Sequence, residues 1–163
     1  MHINRLTINL YGASAVDPGG IVSDVLTSVG DSTPSRLGFA MPPAIAQAWP
    51  DVAGAYAGIA RAEDDEPDGH IVLLDELPPG KLDWADSVAW ARGLGNGARM
   101  ASPIEGLLLA ANLRDRFDPS GWYWLGKQYS ESGAWGQHFG NGYQDGYVKS
   151  AKAWARAVRR FPV

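Results

Sequence analysis

Ten aromatic side chains crowd the end of this sequence. From Trp122 onward, "WYWLGKQYSESGAWGQHFGNGYQDGYVKSAKAWARAVRRF" holds four of the seven Trp, four of the six Tyr and two of the four Phe, mixed with Gly, Ser and Gln. Tyr and Trp give large contact area for few rotatable bonds, and Ser, Gly and Asn give adaptable hydrogen bonding around them. That is the chemistry of molecular recognition. Not all of these rings can serve recognition, and Trp122 fits either role. Tyr143, Tyr147 and Trp154, with His138, Asp145 and Lys152, are expected at the surface. Trp154 stands between Lys152 and Arg156 at strand alternation, where an indole among charges is expected to be exposed. Trp154→Ala is then expected to cost on the order of 2 kcal/mol of binding.

Other chemistries find less material. The chain has no cysteine, which removes thiolate metal sites, disulfides and cysteine nucleophiles. His2, His70 and His138 are scattered, with no HxxxH or HxH pair to begin a metal site. No cofactor is implied. A Ser/His/Asp device drawing on His138, Asp145 and a serine stays open as a hydrolase alternative, without a motif that sets its geometry. Asp64-Asp65 and Glu66-Pro67-Asp68 fall in a turn and read as solvated acids. Net charge is −4, and the cations Lys149, Lys152, Arg156, Arg159 and Arg160 all follow the last acid, Asp145. Nucleic-acid binding is not expected, because phosphate binding relies on a strong positive field. Arg156 and Arg159 read as structural, held by carboxylates such as Glu105.

The elements that position these residues read as an α+β domain. An N-terminal arm, residues 1–47, combines an alternating strand (Ile3, Leu6, Ile8, Leu10), a loop, "SVGDSTPS", and "MPPAIAQAWP". It reads as a docking or oligomerisation segment or as an irregular part of the same fold. The ligand-binding domain is placed at 48–163. There "AYAGIARAE" and "HIVLLDEL" form a hairpin across "DDEPDG". Asp83 caps a first helix in which Trp84, Val88 and Ala91 share a face, with Gly93 or Gly95 ending it. Ser102 and Glu105 form a capping box for a second helix that has Pro103 at its first position. Ile104, Leu107, Leu108 and Ala111 give that helix a core-facing stripe. Short strands follow: "WYWLG", "AWGQHF", an Asn141-Gly142 turn, "YQDGYVK", and "KAWARAVRRF", available to pair back near the first strand.

No apolar run approaches the roughly 20 residues of a membrane-spanning helix. "MHINRLTINLYG" lacks the basic start and continuous apolar centre of a secretory signal. Cytoplasmic synthesis is expected, with no membrane partner.

The ordered set "ARMASPIE", Tyr123-Trp124, Tyr129, Ala134-Trp135, Phe139, Gly142, Lys149 and "ARAVRR" resembles the C-type-lectin-like fold, in the phage and prophage branch with Lcl-type C-terminal domains. The similarity runs from about Ala55 to Phe161. Leu125-Gly126 stands where that family commonly has Ser-Ser, and Met100-Ala101 replaces Leu-Pro. The resemblance implies an N-terminal hairpin, two helices and a C-terminal set of short antiparallel strands, and as framework positions Trp124, Trp135 and Phe139 are then assigned to the core. Some such proteins resemble the variable proteins of diversity-generating retroelements, which place substituted residues between framework positions to recognise cell surfaces. Carried over, those positions are Lys127, Glu131, Ser132, Gly136, His138, Tyr143, Asp145, Tyr147, Lys152 and Trp154. The implied partner is a cell-surface protein or glycan. Calcium is not implied, because Glu66-Pro67-Asp68 lies in the early hairpin and no Trp-Asn-Asp strand follows to complete the oxygen ligands. The related formylglycine-generating chemistry needs cysteines that this chain lacks. A structural role in phage or tail assembly is the main alternative.

Overall fold

The computed structural model describes residues 41–163. Most of the 1–47 arm, with its alternating strand and loop, therefore lies outside the described residues. Its last part does not: the amide of Ala46 donates to Tyr56 O and that of Tyr56 to Gln47 O, so the chain before Trp49 runs beside the first strand.

The described residues form an α+β fold with two helices and two antiparallel sheets. Strand β1 (Gly54–Ala60) and β2 (Gly69–Leu74) make the expected hairpin. Helix α1 (Trp84–Gly93), the two-residue β3 (Arg99–Met100) and helix α2 (Pro103–Asn112) follow. Then come β4 (Trp122–Gln128), β5 (Gly133–His138), β6 (Tyr143–Val148) and β7 (Ala157–Pro162). One sheet has the order β1-β2-β7-β3 and the other β4-β5-β6. The C-terminal strand does return to the start of the domain, inserted between β2 and β3. It begins only at Ala157. Lys152 to Arg156, expected within it, instead form isolated bridges, Leu82 with Ala153 and Tyr123 with Trp154.

Both helix starts follow from local chemistry. The Asp83 carboxylate accepts from the Asp86 amide, and the Ser102/Glu105 box is complete, each side chain meeting the other residue's backbone. The buried stripe of α2 is a correction. Of its four residues only Leu108 packs, half-buried, against the core; Ile104 and Leu107 are 44% and 52% exposed and Ala111 also faces outward, whereas Glu105, Gly106, Leu109 and Ala110 are buried. The helix is rotated because its charged residue belongs inside. Glu105 takes two hydrogen bonds from Arg99 (2.6 and 2.8 Å), one from Arg160 (2.8 Å) and one from the Ser102 amide (2.9 Å). Arg99 and Arg160 thus hold this carboxylate, in place of the expected Arg156 and Arg159. Arg156 donates to the carbonyls of Arg116 and Leu74.

Gly106 completes that face. A Cβ there would collide with the side chain of Gln137. The main core joins Ile71, Leu73 and Val158 of the larger sheet to Leu109 and Leu113, and then to Tyr123, Leu125 and Phe139 of the smaller one. Phe117 and Phe139 stack at 3.6 Å within it. A second cluster packs Trp124 and Ala134 under Ala91, Met100 and the 153–157 segment. Trp124 and Phe139 are core residues as expected; Trp135 is half-buried with Tyr129 edge-on at 4.8 Å.

Candidate functional site

The smaller sheet sorts its side chains by alternation. One face, carrying Tyr123, Leu125, Gln137, Phe139 and Gln144, turns inward. There the Gln144 amide donates to Pro103 O (2.8 Å) and to Gln137 (2.9 Å). On the other face the register sets Trp122, His138 and Tyr143 in one row across the strands, and Trp124, Gly136 and Asp145 in the next. Ala134 pairs with Tyr147 beyond them. The Trp124 end is roofed by the 153–155 segment and α1; the rest faces outward.

Trp122 organises this outer face. Its ring lies 4.6 Å from Tyr147, 5.6 Å from His138 and 6.1 Å from Tyr143, the last two edge-on. Tyr143 is 55% and Tyr147 39% exposed, while Trp122 is half-buried. Gly136 makes the arrangement possible: a Cβ there would sit 3.4 Å from Trp122 Cε3, so the bare backbone lets the indole lie across the strand. The Tyr143 hydroxyl reaches Asp145 (3.3 Å), whose charge pushes the phenol pKa up.

At the roofed end a pocket of about 170 Å³ opens between Trp122, Tyr147, Gly136, Lys81 and Lys152. Lys152 is tied to Asp83 (3.0 Å). The Asp83 carboxyl is held below its usual range, first by the Asp86 amide and then by this lysine.

Of the expected site residues, Gly136, His138, Tyr143, Asp145 and Tyr147 share this face, and Lys152 borders its pocket. Gly136 is buried beneath the indole. His138 is half-buried, and its Nδ1 is enclosed without a hydrogen-bond partner among the described residues. Trp154 corrects an expectation. It is half-buried against the main core, its amide donates to Trp122 O (2.9 Å), and Lys81 Nζ lies 5.2 Å from its ring. It is held there because residues 152–156 bridge to Leu82 and to the edge of β4 and do not alternate as a strand. Trp122 is the residue that sequence reasoning left undecided; the signal was Gly136, its diagonal neighbour on β5.

Three expected residues lie elsewhere. Glu131 and Ser132 are exposed in the β4–β5 turn, where Lys149 Nζ donates to Glu131 O (2.7 Å). Lys127 falls where β4 and β5 lose register, between Trp124 and Gln128. It lines a different cleft of about 320 Å³ with Glu63, Asp64, Glu66, Arg99 and Ser102. There it pairs with Glu63 and with Asp64 (2.7 Å), which raise its pKa, Asp64 foremost. Arg99 meets Glu66 at 2.7 Å and Ser102 Oγ donates to Glu63 at 2.6 Å. The turn acids expected to be solvated are thus largely engaged. This cleft satisfies its own charges.

Among the described residues no group of three or more His, Asp or Glu side chains is arranged to hold a metal ion, and no helix is long and apolar enough to cross a membrane. Compared with protein-family models and with curated proteins, the chain matches none.

Proposed function

We propose that this chain is a non-enzymatic recognition protein that grips a cell-surface protein or glycan through the outer face of β4–β6, without calcium. The observation that carries the reading is the Trp122–His138–Tyr143–Tyr147 cluster. Four rings lie on one rigid sheet face, two of them with large exposed area, and a polar rim is supplied by Asp145 and Lys152. Such aromatic surface loses little side-chain entropy on binding and desolvates readily. Residues held by strand pairing and by capped helices give the preorganisation that recognition rewards.

On this reading the architecture is a C-type-lectin-like fold. What supports it is the order of hairpin, two helices and small sheet, closed by a terminal strand that returns beside β2. The gene belongs with the phage or prophage recognition proteins, and the exposed members of the face are the positions that a diversity-generating retroelement varies. A reverse transcriptase gene nearby, with a near-copy of the 3′ end of this gene, is the expected genomic neighbourhood.

The test is an array of cell-surface glycans and proteins probed with wild type and Trp122→Ala. Signals that disappear in the variant support the reading; equal signals from both remove the face as the site. One observation favours a second reading, a structural assembly protein: Ile104, Leu107 and Ala111 present an apolar side of α2 to solvent. A stable oligomer that covers this side and also buries Tyr143 and Tyr147 decides for assembly.

A further inference from the structure

Next to the aromatic pocket, with Tyr123 shared between the two, lies a second cleft of about 260 Å³, lined by Leu77, Pro78, Arg116, Tyr123, Trp154 and Arg156 among others. Two of the cations that make no ion pair among the described residues, Arg116 and Arg156, meet in this cleft. Arg61, Arg99, Lys127, Lys152 and Arg160 all have carboxylate partners within ion-pair distance. Neither Arg116 nor Arg156 has one among the described residues, and neither has Lys81, which reaches over the Trp154 ring. Arg116 and Arg156 therefore line the cleft with Trp154 and without an ion-pair partner among the described residues, in a protein of net charge −4, while Lys81 lies over that indole and acts on Asp118.

Arg156 is the most informative of them. Its guanidinium lies 5.4 Å over the Phe117 ring and donates to the carbonyls of Arg116 (2.9 Å) and Leu74 (2.8 Å). Its Nε is enclosed with no hydrogen-bond partner among the described residues. Burial pulls its pKa down, and Arg116 beside it adds to that effect. A desolvated cation without a counter-ion is costly unless an anion completes it. The nearby acids do not do so. Asp118 lines the cleft, but its carboxylate accepts from the Ser120 amide (2.9 Å) and hydroxyl (2.7 Å). Asp75 acts on Arg156 only from beyond ion-pair distance.

We propose that this cleft is an oxyanion subsite that takes the carboxylate of an acidic saccharide, with Arg116 and Arg156 supplying the charge and Trp154 and Tyr123 the flat walls. The proposal rests on the reading that the adjoining face binds ligand. Planar guanidinium groups suit carboxylates, and aromatic faces suit the C–H surface of a sugar ring. The volume is below the roughly 300–1,000 Å³ of sites for drug-sized ligands, so it has room for about one ring. An extended acidic peptide fits less well, because the neighbouring edge of β4 is closed. The Trp124 amide donates to Trp154 O and the Trp154 amide to Trp122 O, both at 2.9 Å, which leaves no free backbone ladder there.

The test follows the indole Nε1–H signals of the ¹⁵N-labelled full chain during titration with sodium glucuronate, its methyl ester, glucose and a tetraglutamate peptide. Trp→Phe variants assign the signals. Glucuronate is expected to move the Trp154 signal with at least tenfold higher affinity than either neutral sugar. Arg116→Gln is expected to lose at least fivefold of that affinity without changing the response to glucose. Arg116 is exposed and its side chain makes no hydrogen bond among the described residues, so this variant is expected to fold. Arg156→Lys keeps the charge but not the planar fork, and is expected to weaken glucuronate less than Arg116→Gln does.

Equal affinity for glucuronate and its ester, no movement of Trp154, or an unaffected Arg116→Gln overturns the subsite. Tighter binding of tetraglutamate than of glucuronate overturns the saccharide assignment. The Trp122 signal reports the aromatic face separately: if neutral sugars or array ligands move Trp122 while glucuronate leaves Trp154 still, the anion subsite fails and the face stands.

Discussion

Two surfaces border the smaller sheet and its helices, and they are built on opposite plans. In the cleft around Ser102, Glu63, Asp64, Glu66, Arg99 and Lys127 meet in ion pairs, with Glu105 enclosed behind them by Arg99 and Arg160. These groups already hold one another, and of the acids lining the cleft only the exposed Asp65 has no partner among the described residues. Across the sheet, Tyr143 and Tyr147 present large rings to water beside the half-buried Trp122 over a glycine floor, with Lys81 and the Asp83-paired Lys152 at the adjoining pocket. The charge-rich cleft is the larger of the two pockets beside the sheet, yet a ligand entering it has to break existing bonds. The aromatic face gains contacts without breaking any. Cavity size is therefore a poor guide here; unsatisfied surface is the better one.

This contrast can be broken most forcefully at Glu105. Replacing it with Gln leaves Arg99 and Arg160 with only the half-exposed Glu66 as anion, and the expected loss is about 3 kcal/mol of folding stability, read by urea denaturation. Binding by the folded fraction is expected to stay as in wild type.

The same group sets an acid limit. Burial alone would raise the Glu105 pKa, but Arg99, the Ser102 amide and Arg160 outweigh it and hold the carboxyl below its usual range. The folded-state value therefore lies below the unfolded one. Its stabilisation is complete above the ordinary glutamate range, about 4.3, and is lost as pH falls through the depressed value. Urea midpoints recorded from neutral pH down to about pH 3 are expected to fall for wild type much more steeply than for Glu105→Gln. Parallel curves would remove Glu105 as the source.

On the other plan, Gly136 is the place to intervene. The position of its missing Cβ is in ordinary contact with Trp122, so Gly136→Ala is expected to stay within about 0.5 kcal/mol of wild-type stability. Gly136→Val sends branched methyls into the indole, and is expected to weaken ligand binding by about 1–2 kcal/mol as the ring is displaced. Calorimetric titration of both variants checks this. The smallest effect belongs to Lys127→Ala: a partly exposed pair is worth about 0–1 kcal/mol of stability, and ligand affinity is expected not to change.

What the sequence made legible was local. The Asp83 cap, the Ser102/Glu105 box, the Asn141-Gly142 turn and the β1–β2 hairpin each depend on residues within a few positions of one another, and each stands where its chemistry put it. What it hid was set at long range. The phase of α2 turns on Arg160, 55 residues from the carboxylate that it holds, and an apolar stripe through Ile104 and Leu107 cannot register that. Trp122 and Trp154 have similar neighbours in sequence. One lies open over Gly136 because of strand pairing, and the other is pinned because residues 152–156 bridge to Leu82 and to β4. Lys127 was displaced from the face by a register shift that no residue type announces. The aromatic character of the site was readable; its membership was decided by cross-strand geometry.

The account rests on the claim that ligand is held by the outer aromatic face and not by the charged cleft. Its most direct test is the affinity of one ligand, taken from the array, for wild type, Trp122→Ala and Lys127→Ala under the same conditions. The expected result is a loss of about 2 kcal/mol for Trp122→Ala, with Lys127→Ala indistinguishable from wild type. A ligand that releases Lys127→Ala and still binds Trp122→Ala at full strength would contradict it.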